Sequence, residues 1–433
     1  MCAGEDWSGE FNVTHPGGTD TTVPMSPWIT AGSRSERIAQ AIERAGLDAL
    51  VTMTSENAEY LSGRPSTIAT LWPLPGLVAV AVNQGGKTAV AAGDQEIESY
   101  AQAGERFSHP LWIEHLDLRA AGASLAERVT AARPAGTLDR PAQYDVDQML
   151  DAVAAAIRAV SDGRGRIGLE LVSLPAWLTD GLLERVPGVM FVEATAVFDD
   201  LRAIKDAQER ENLRLAGYLT EVGIAGARDA LHTGMRAIEV SAAYHAAIWE
   251  TVRGDTRFAS MRQAEGLVSV GDGQRPVDVG PGQTVKLDMQ VDVGGYHSDV
   301  GRTYCLQPTA EQQAIYDALS HALDAALAAA EPGVPINAIW QAGTRAMREA
   351  GFGNYSRGHL GHSVGLAHHY EEAPFISATE SRPLAPGMVI SIELPYYLLG
   401  IGSYQMERMA IVGETAVEIV DTLPFQFVPH AGA

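Results

Sequence analysis

Two hydrophobic periods divide the chain. From Ser35, SERIAQAIERAGLDALVTM sets apolar residues at helical spacing up to Gly46, then is apolar over 49–53 apart from Thr52. This predicts a capped helix followed by a strand. Further strands are predicted at 76–82, 88–92 and 166–170, and helices at 120–132 and 146–161. Strands alternating with helices predict an α/β domain that ends near residue 200. A long helical pattern then runs from Asp199 to Gly234 and joins the two halves of the chain. Another helix is predicted over 237–252, then helices over 309–330 and 336–350, glycine-rich loops over 351–365, and strands over 388–397 and 404–412. Residues 1–30 show neither period. Rich in Gly, Thr, Ser and Pro, they read as an irregular arm.

The stretch 285–304, VKLDMQVDVGGYHSDVGRTY, reads as a β-hairpin, because adjacent glycines supply the positive φ of a tight turn. It carries acids at Asp288 and Asp299, where a sheet wants none. With the tip at Val293-Gly294 the two face each other. With the tip at Gly294-Gly295, Asp288 faces Gly301 and Asp299 lies one pleat away. In either register they share a face. Neighbouring carboxylates repel, and burying them is costly. A bound cation would remove that penalty; so would exposure of the hairpin to solvent.

Three further residues pose the same problem. His362 sits among glycines in GHLGHSVGL, Glu393 in the apolar MVISIELPYY and Glu407 in QMERMAIV. One acid in an apolar strand is ordinarily an edge residue or half of an ion pair. The set is harder to dismiss: two Asp, one His and two Glu, all but His362 in predicted strands. Such a set can hold two divalent ions with a bridging carboxylate. Oxygen ligands with one imidazole suit Mn²⁺, Co²⁺, Fe²⁺ or Zn²⁺. Two ions about 3.5–4 Å apart would acidify one water and polarise a carbonyl. That is hydrolysis without a protein nucleophile.

Composition narrows the field. The chain has 433 residues, enough for two or three domains, with 46% hydrophobic and 20% charged residues. A net charge of -23 argues against nucleic acid and anionic membrane as partners. Two cysteines, Cys2 and Cys305, make neither a disulfide framework nor a thiolate metal site and fit a reducing cytoplasm. No secretory signal and no apolar run of about 18 residues is expected.

The order Asp, Asp, His, Glu, Glu, carried by LDMQVDVGGYHSDVGRTY, GHSVGL, PGMVISIELPYY and QMER, resembles the pita-bread metallopeptidase family. That family includes methionine aminopeptidase, Xaa-Pro aminopeptidase, prolidase and creatinase. Upstream, RIAQAIERAGLDALVTMTSENAEYLSG resembles the start of the creatinase-type N-terminal domain. LRAIKDAQERENLR is similar to the linker helix of the Xaa-Pro and creatinase branch. The resemblance covers about residues 35–425 and implies, after the arm at 1–30, a creatinase-like α/β domain at 31–203 and an α+β pita-bread catalytic domain at 204–433. It further implies two divalent metal ions per chain, Mn before Co, Fe or Zn, and a homodimer. By the same resemblance Asp288 binds one metal, Asp299 and Glu407 bridge, and His362 and Glu393 complete the other. Glu393 would also take the proton from a bridging water. His369, seven residues after His362, would touch the substrate carbonyl, with His368 as its rival.

The departures are specific. Family peptidases carry a substrate-gripping histidine about 17 residues before the first metal aspartate; here that position is Gly271, and no histidine lies between His245 and His297. The arginine two residues before the last glutamate is Gln405. The histidine four before the metal histidine is matched only by His359, displaced by one. Losing one donor to the reacting centre is worth roughly 10²–10³ in rate. Either Arg275 or Gln274 takes that role, or the substrate is not a standard Xaa-Pro peptide. The expected function is a dinuclear hydrolase of the Xaa-Pro aminopeptidase or prolidase type. The alternative is a creatinase-like C–N hydrolase or a lyase acting on a small molecule. The lyase branch carries an extra acid where this chain has Gln290. A non-catalytic binding protein is the third reading, and relatives of that kind have typically lost metal ligands.

Overall fold

The computed structural model describes residues 28–72, 74–111, 122–132, 144–367 and 371–429. Most of the expected N-terminal arm lies outside these residues, as do Cys2, His368, His369 and the start of the helix expected at 120–132. The chain divides into two compact units. One comprises Ile42–Val197; the other runs from Phe198 onward and includes the segment that ends at Ala41.

The first unit holds six strands: β1 (Ala49–Thr52), β2 (Val78–Asn83), β3 (Thr88–Gly93), β4 (Glu105–His109), β5 (Arg164–Leu169) and β6 (Gly188–Glu193). They form one mixed sheet in the order β4-β3-β2-β1-β5-β6. Both faces are covered. Ala79 and Ala81 of β2 enter a core shared with the helix Val146–Ser161, while Val78 and Val80 enter a separate core with Ala58 of the helix Ser55–Ser62. Burial on both faces explains why these strands read as continuous apolar runs. The edge strands β4 and β6 are partly exposed, carry polar residues, and escaped the sequence pattern for that reason.

The second unit is α+β. Its strands are β7 (Met261–Val270), β8 (Thr284–Val293), β9 (Tyr296–His297), β10 (Val300–Cys305), β11 (His359–Ser363), β12 (Glu372–Ser377), β13 (Val389–Glu393), β14 (Tyr396–Leu398), β15 (Gly402–Tyr404), β16 (Glu407–Val412) and β17 (Val417–Ile419). One sheet runs β10-β8-β7 with β9 also on β8; another runs β12-β11-β13-β16-β17; β14 and β15 pair alone. The helices Ala310–Ala328 and Ile336–Glu349 share a core with β11, β13 and β16.

The helical pattern from Asp199 to Gly234 is two helices, not one. Thr195–Ala203 and Ala207–Ala230 are separated by Ile204, Lys205 and Asp206. Ile204 bridges Met388, and the Lys205 N–H donates to Gly387 O at 2.9 Å, so the backbone leaves the helix to meet a neighbouring strand. Asp206 then restarts it: its side chain accepts from Glu209 N while the Glu209 side chain accepts from Asp206 N. The strands expected at 388–397 and 404–412 are each divided too. Pro395, which has no N–H to donate, lies between β13 and β14.

Candidate metal centre

The hairpin takes the second of its two registers. Val293 pairs with Tyr296 and Asp288 with Gly301, so the tip is Gly294-Gly295, both at positive φ. Asp299 lies in the break between β9 and β10 rather than inside a strand, and His362 lies on β11 rather than in a glycine-rich loop. In the break the Ser298 N–H still donates to Val291 O at 3.1 Å, but the Val291 N–H goes to Ser298 Oγ at 2.9 Å rather than to a strand carbonyl.

Asp299, His362 and Glu407 each present a ligand atom within 4.8 Å of the others. His362 Nε2 is 3.4 Å from Asp299 Oδ2. The His362 Nδ1 faces Ser363 O at 2.9 Å. A carbonyl only accepts, so Nδ1 carries a proton, and Nε2 is the nitrogen turned toward the acids and placed to ligate a metal. Glu393 and Glu407 are direct cross-strand partners on β13 and β16. Ser391 Oγ donates to Glu407 Oε1 at 2.8 Å. The Gln405 amide donates to Glu393 Oε2 at 2.7 Å and to Glu407 Oε2 at 3.2 Å. Asp288 approaches from β8, its Oδ2 held by Lys286 Nζ at 3.0 Å.

The electrostatics of the cluster are unfavourable without a cation. Burial pushes the Asp299 carboxyl well above the usual range, and Asp288 and Glu393 push it further. Burial, Asp299 and Asp288 do the same to Glu407. Glu393 Oε1 is buried without a hydrogen-bond donor. Crowded acids, an orphaned oxygen and an imidazole nitrogen facing a carboxylate are together a hard-cation donor set. The residues therefore fit divalent metal.

Room for this crowding comes from Gly301. A Cβ there would stand 2.3 Å from Gln405 Cγ and 2.9 Å from Glu407 Oε2. Behind it, the buried Arg302 donates to the carbonyls of Gly301 and Glu407 at 2.9 and 2.6 Å and pairs with Asp421, tying β10 to β16. Sequence reasoning passed over Arg302 and Lys286. Both are lone cations in apolar strands, the same signal that singled out the acids. Glu371 was also missed. It lies 3.2 Å from His359 Nε2, and His359 Nδ1 is 3.5 Å from Glu393 Oε1, so His359, Glu371 and Glu393 make a second trio beside the first.

A cavity of about 640 Å³ opens onto Asp288, Asp299 and His362 and is lined further out by His245, Glu265 and Glu371. Arg275 and Gln274 line a different cavity, with Asp272, Leu399 and Ile401. At Gly271 a Cβ would come within 2.7 Å of Gln283 Oε1, so the Gln283 side chain occupies the neighbouring space.

Comparison with known proteins agrees with this arrangement. Residues 211–414 match the model for metallopeptidase family M24, and residues 34–204 match the creatinase/prolidase N-terminal domain. The chain belongs to metallopeptidase family M24. Among its relatives is a Mycobacterium bovis protein named "Probable dipeptidase PepE", 30% identical over 243 residues, 56% of this chain and 64% of the relative. The Xaa-Pro dipeptidase of Pyrococcus furiosus is 29% identical over 233 residues, 53% of this chain and 66% of the relative. The chain thus spans just under two thirds of the length of these M24 relatives. The fold matches that of the Xaa-Pro dipeptidase from Bacillus anthracis with a TM-score of 0.71 at 19% identity, covering 91% of this chain and 98% of the other.

Proposed function

We propose that this M24 protein is a dinuclear metal-dependent hydrolase that cleaves a peptide C–N bond, in the manner of an Xaa-Pro aminopeptidase or prolidase. The observation that carries the reading is the cluster of Asp299, His362 and Glu407 within 4.8 Å, with Glu393 paired to Glu407 across the strands and Asp288 close by. Divalent ions held there would supply an acidified water and a Lewis acid for the scissile carbonyl. Asp299 and Glu407 would be shared between two ions, Asp288 would serve one, and His362 and Glu393 the other. Gln405 holds Glu393 by Oε2, which leaves Oε1 to receive a proton. His359 stands between that oxygen and Glu371, placed to pass the proton outward. His369 and His368 are proposed to meet the substrate. Mn²⁺ is the proposed metal and a cytoplasmic homodimer the proposed form.

The test is a screen of dipeptides and Xaa-Pro peptides with Mn²⁺-loaded protein, joined to metal analysis. Two ions per chain and peptide cleavage are expected. Full metal occupancy without release of any amino acid would end the peptidase reading. A small-molecule C–N hydrolase is then the second reading. It is favoured by one observation: Gln283 fills the space beside Gly271, where a gripping side chain was expected.

A further inference from the structure

We propose that Lys205 positions the metal-binding His362 through Ser363, from a place 158 residues away from that serine in the chain. This rests on the reading of His362 as a ligand and adds the residue that holds the ligand in place.

His362 is fixed by a bond to its own neighbour: Nδ1 donates to Ser363 O at 2.9 Å, which turns Nε2 toward Asp299. The ring is therefore only as well placed as the Ser363 peptide. The sheet holds that peptide evenly on one side only. Toward β13 the register is regular, with Gly361, His362 and Ser363 opposite Ile392, Ser391 and Ile390. Toward β12 it slips twice, between His359 and His362 and again between His362 and Ser363. A slipped ladder leaves backbone locally unpaired, so something else must set the peptide.

Lys205 does so. Its side chain is 1% exposed; its Nζ donates to Ser363 Oγ at 2.7 Å and lies 3.7 Å from Glu372 Oε2. The Ser363 hydroxyl in turn reaches Val389 O on β13 at 3.4 Å. Glu372, opposite Ser363 on β12, accepts from the Ala367 N–H at 2.7 Å and pairs with Arg202 at 3.3 Å. Lys205 thus bonds one strand and faces an acid on the next, where the ladder between them slips. Its own backbone is pinned to Gly387 O, in the break between the helices Thr195–Ala203 and Ala207–Ala230. Arg202 also pairs with Asp199 at 3.2 Å, so the network holds two cations and two acids and is balanced without an outside ion. A satisfied buried network rigidifies what it touches. Here it touches the peptide that aims the ligand. Lys205 meets neither metal nor substrate, and its role is positioning. Loss of such a partner typically weakens metal binding by about ten- to a hundredfold.

The test titrates Co²⁺ calorimetrically into metal-stripped full-length protein, and the visible spectrum of bound Co²⁺ reports ligand geometry. Wild type, Lys205→Met, Ser363→Ala and the double variant are compared at a temperature where circular dichroism shows each metal-free protein folded. Each single variant should bind Co²⁺ at least about tenfold more weakly and alter the shape of the visible band. The double variant should lose no more than the weaker-binding single, because both substitutions break one connection. Ser363→Ala deletes only a hydroxyl and carries the test by itself if Lys205→Met does not fold. Wild-type affinity and spectrum in Ser363→Ala, whatever its melting temperature, overturn the inference and leave the metal reading standing. Additive losses in the double variant overturn the route through Ser363. Wild-type protein that takes up no Co²⁺, or His362→Ala that binds it as tightly as wild type with the same spectrum, removes the ligand assignment and this inference with it.

Discussion

Asp299 and Glu407 each sit where burial and neighbouring acids oppose their charge, and that conflict sets what their removal does. Asp299→Ala or Glu407→Ala should abolish metal occupancy and activity together, read by metal analysis and a peptide assay. Ile42–Val197 should stay folded in both, seen as unchanged far-UV circular dichroism. Activity retained in either would mean that the ligand assignment is wrong. A second residue gives a pH prediction in the first unit. Glu170 is buried, accepts from Thr54 Oγ1 at 2.8 Å and from Asn57, and leaves Oε2 without a partner. Burial lifts its pKa from 4.5 to about 7. The folded unit holds the proton more tightly than the unfolded chain, so this stabilisation is complete below about pH 4.5 and disappears as pH rises through 7. Roughly 3 kcal/mol is at stake for a shift of this size. The melting temperature of this unit should fall from pH 5 to 8, and Glu170→Gln should flatten the slope. An equal slope in both proteins would remove Glu170 as the cause.

At the scale of elements, two positions carry more than their size indicates. Gly301 on β10 is the space in which Gln405 and Glu407 sit, so Gly301→Ala should displace a ligand carboxylate. Metal affinity should drop by at least about tenfold, the range expected when support around a ligand fails; unchanged affinity would show that Gln405 can yield. Asp206 starts the helix Ala207–Ala230 through its capping box. Asp206→Ala should cost about 1 kcal/mol in denaturant unfolding, and Asp206→Asn much less. The same elements show how far a pattern can be read. The helix Val146–Ser161 and the hairpin around Gly294 were legible, because a strong period or a paired-glycine turn is local chemistry. The pattern reads β11 as loop, since glycines at 358, 361 and 365 mimic one and its pairing partners lie on β12 and β13. The pattern places Asp299 in strand, since nothing local announces that Ser298 Oγ takes the Val291 N–H.

Across the molecule, metal and stability should be coupled. A ligand bound only by the folded state adds RT ln(1 + [L]/Kd), about 2.7 kcal/mol at a hundredfold excess over Kd. Adding Mn²⁺ to stripped protein should raise the melting transition of the unit that holds the acids, and chelation should reverse it. A transition indifferent to metal would argue that the acids bind none. Sequence alone determined the two-part α/β and α+β plan, the five candidate ligands and the position where a gripping histidine is absent. Each of these is written in residue type, period and order along the chain. Only the tertiary structure decided that Glu393 faces Glu407, that Gln405 bridges them, that Lys205 reaches Ser363, and that Arg275 lines another cavity. Those facts depend on strand register and on contacts between residues far apart in the chain, which hydrophobic pattern constrains only through the packing of whole sheets.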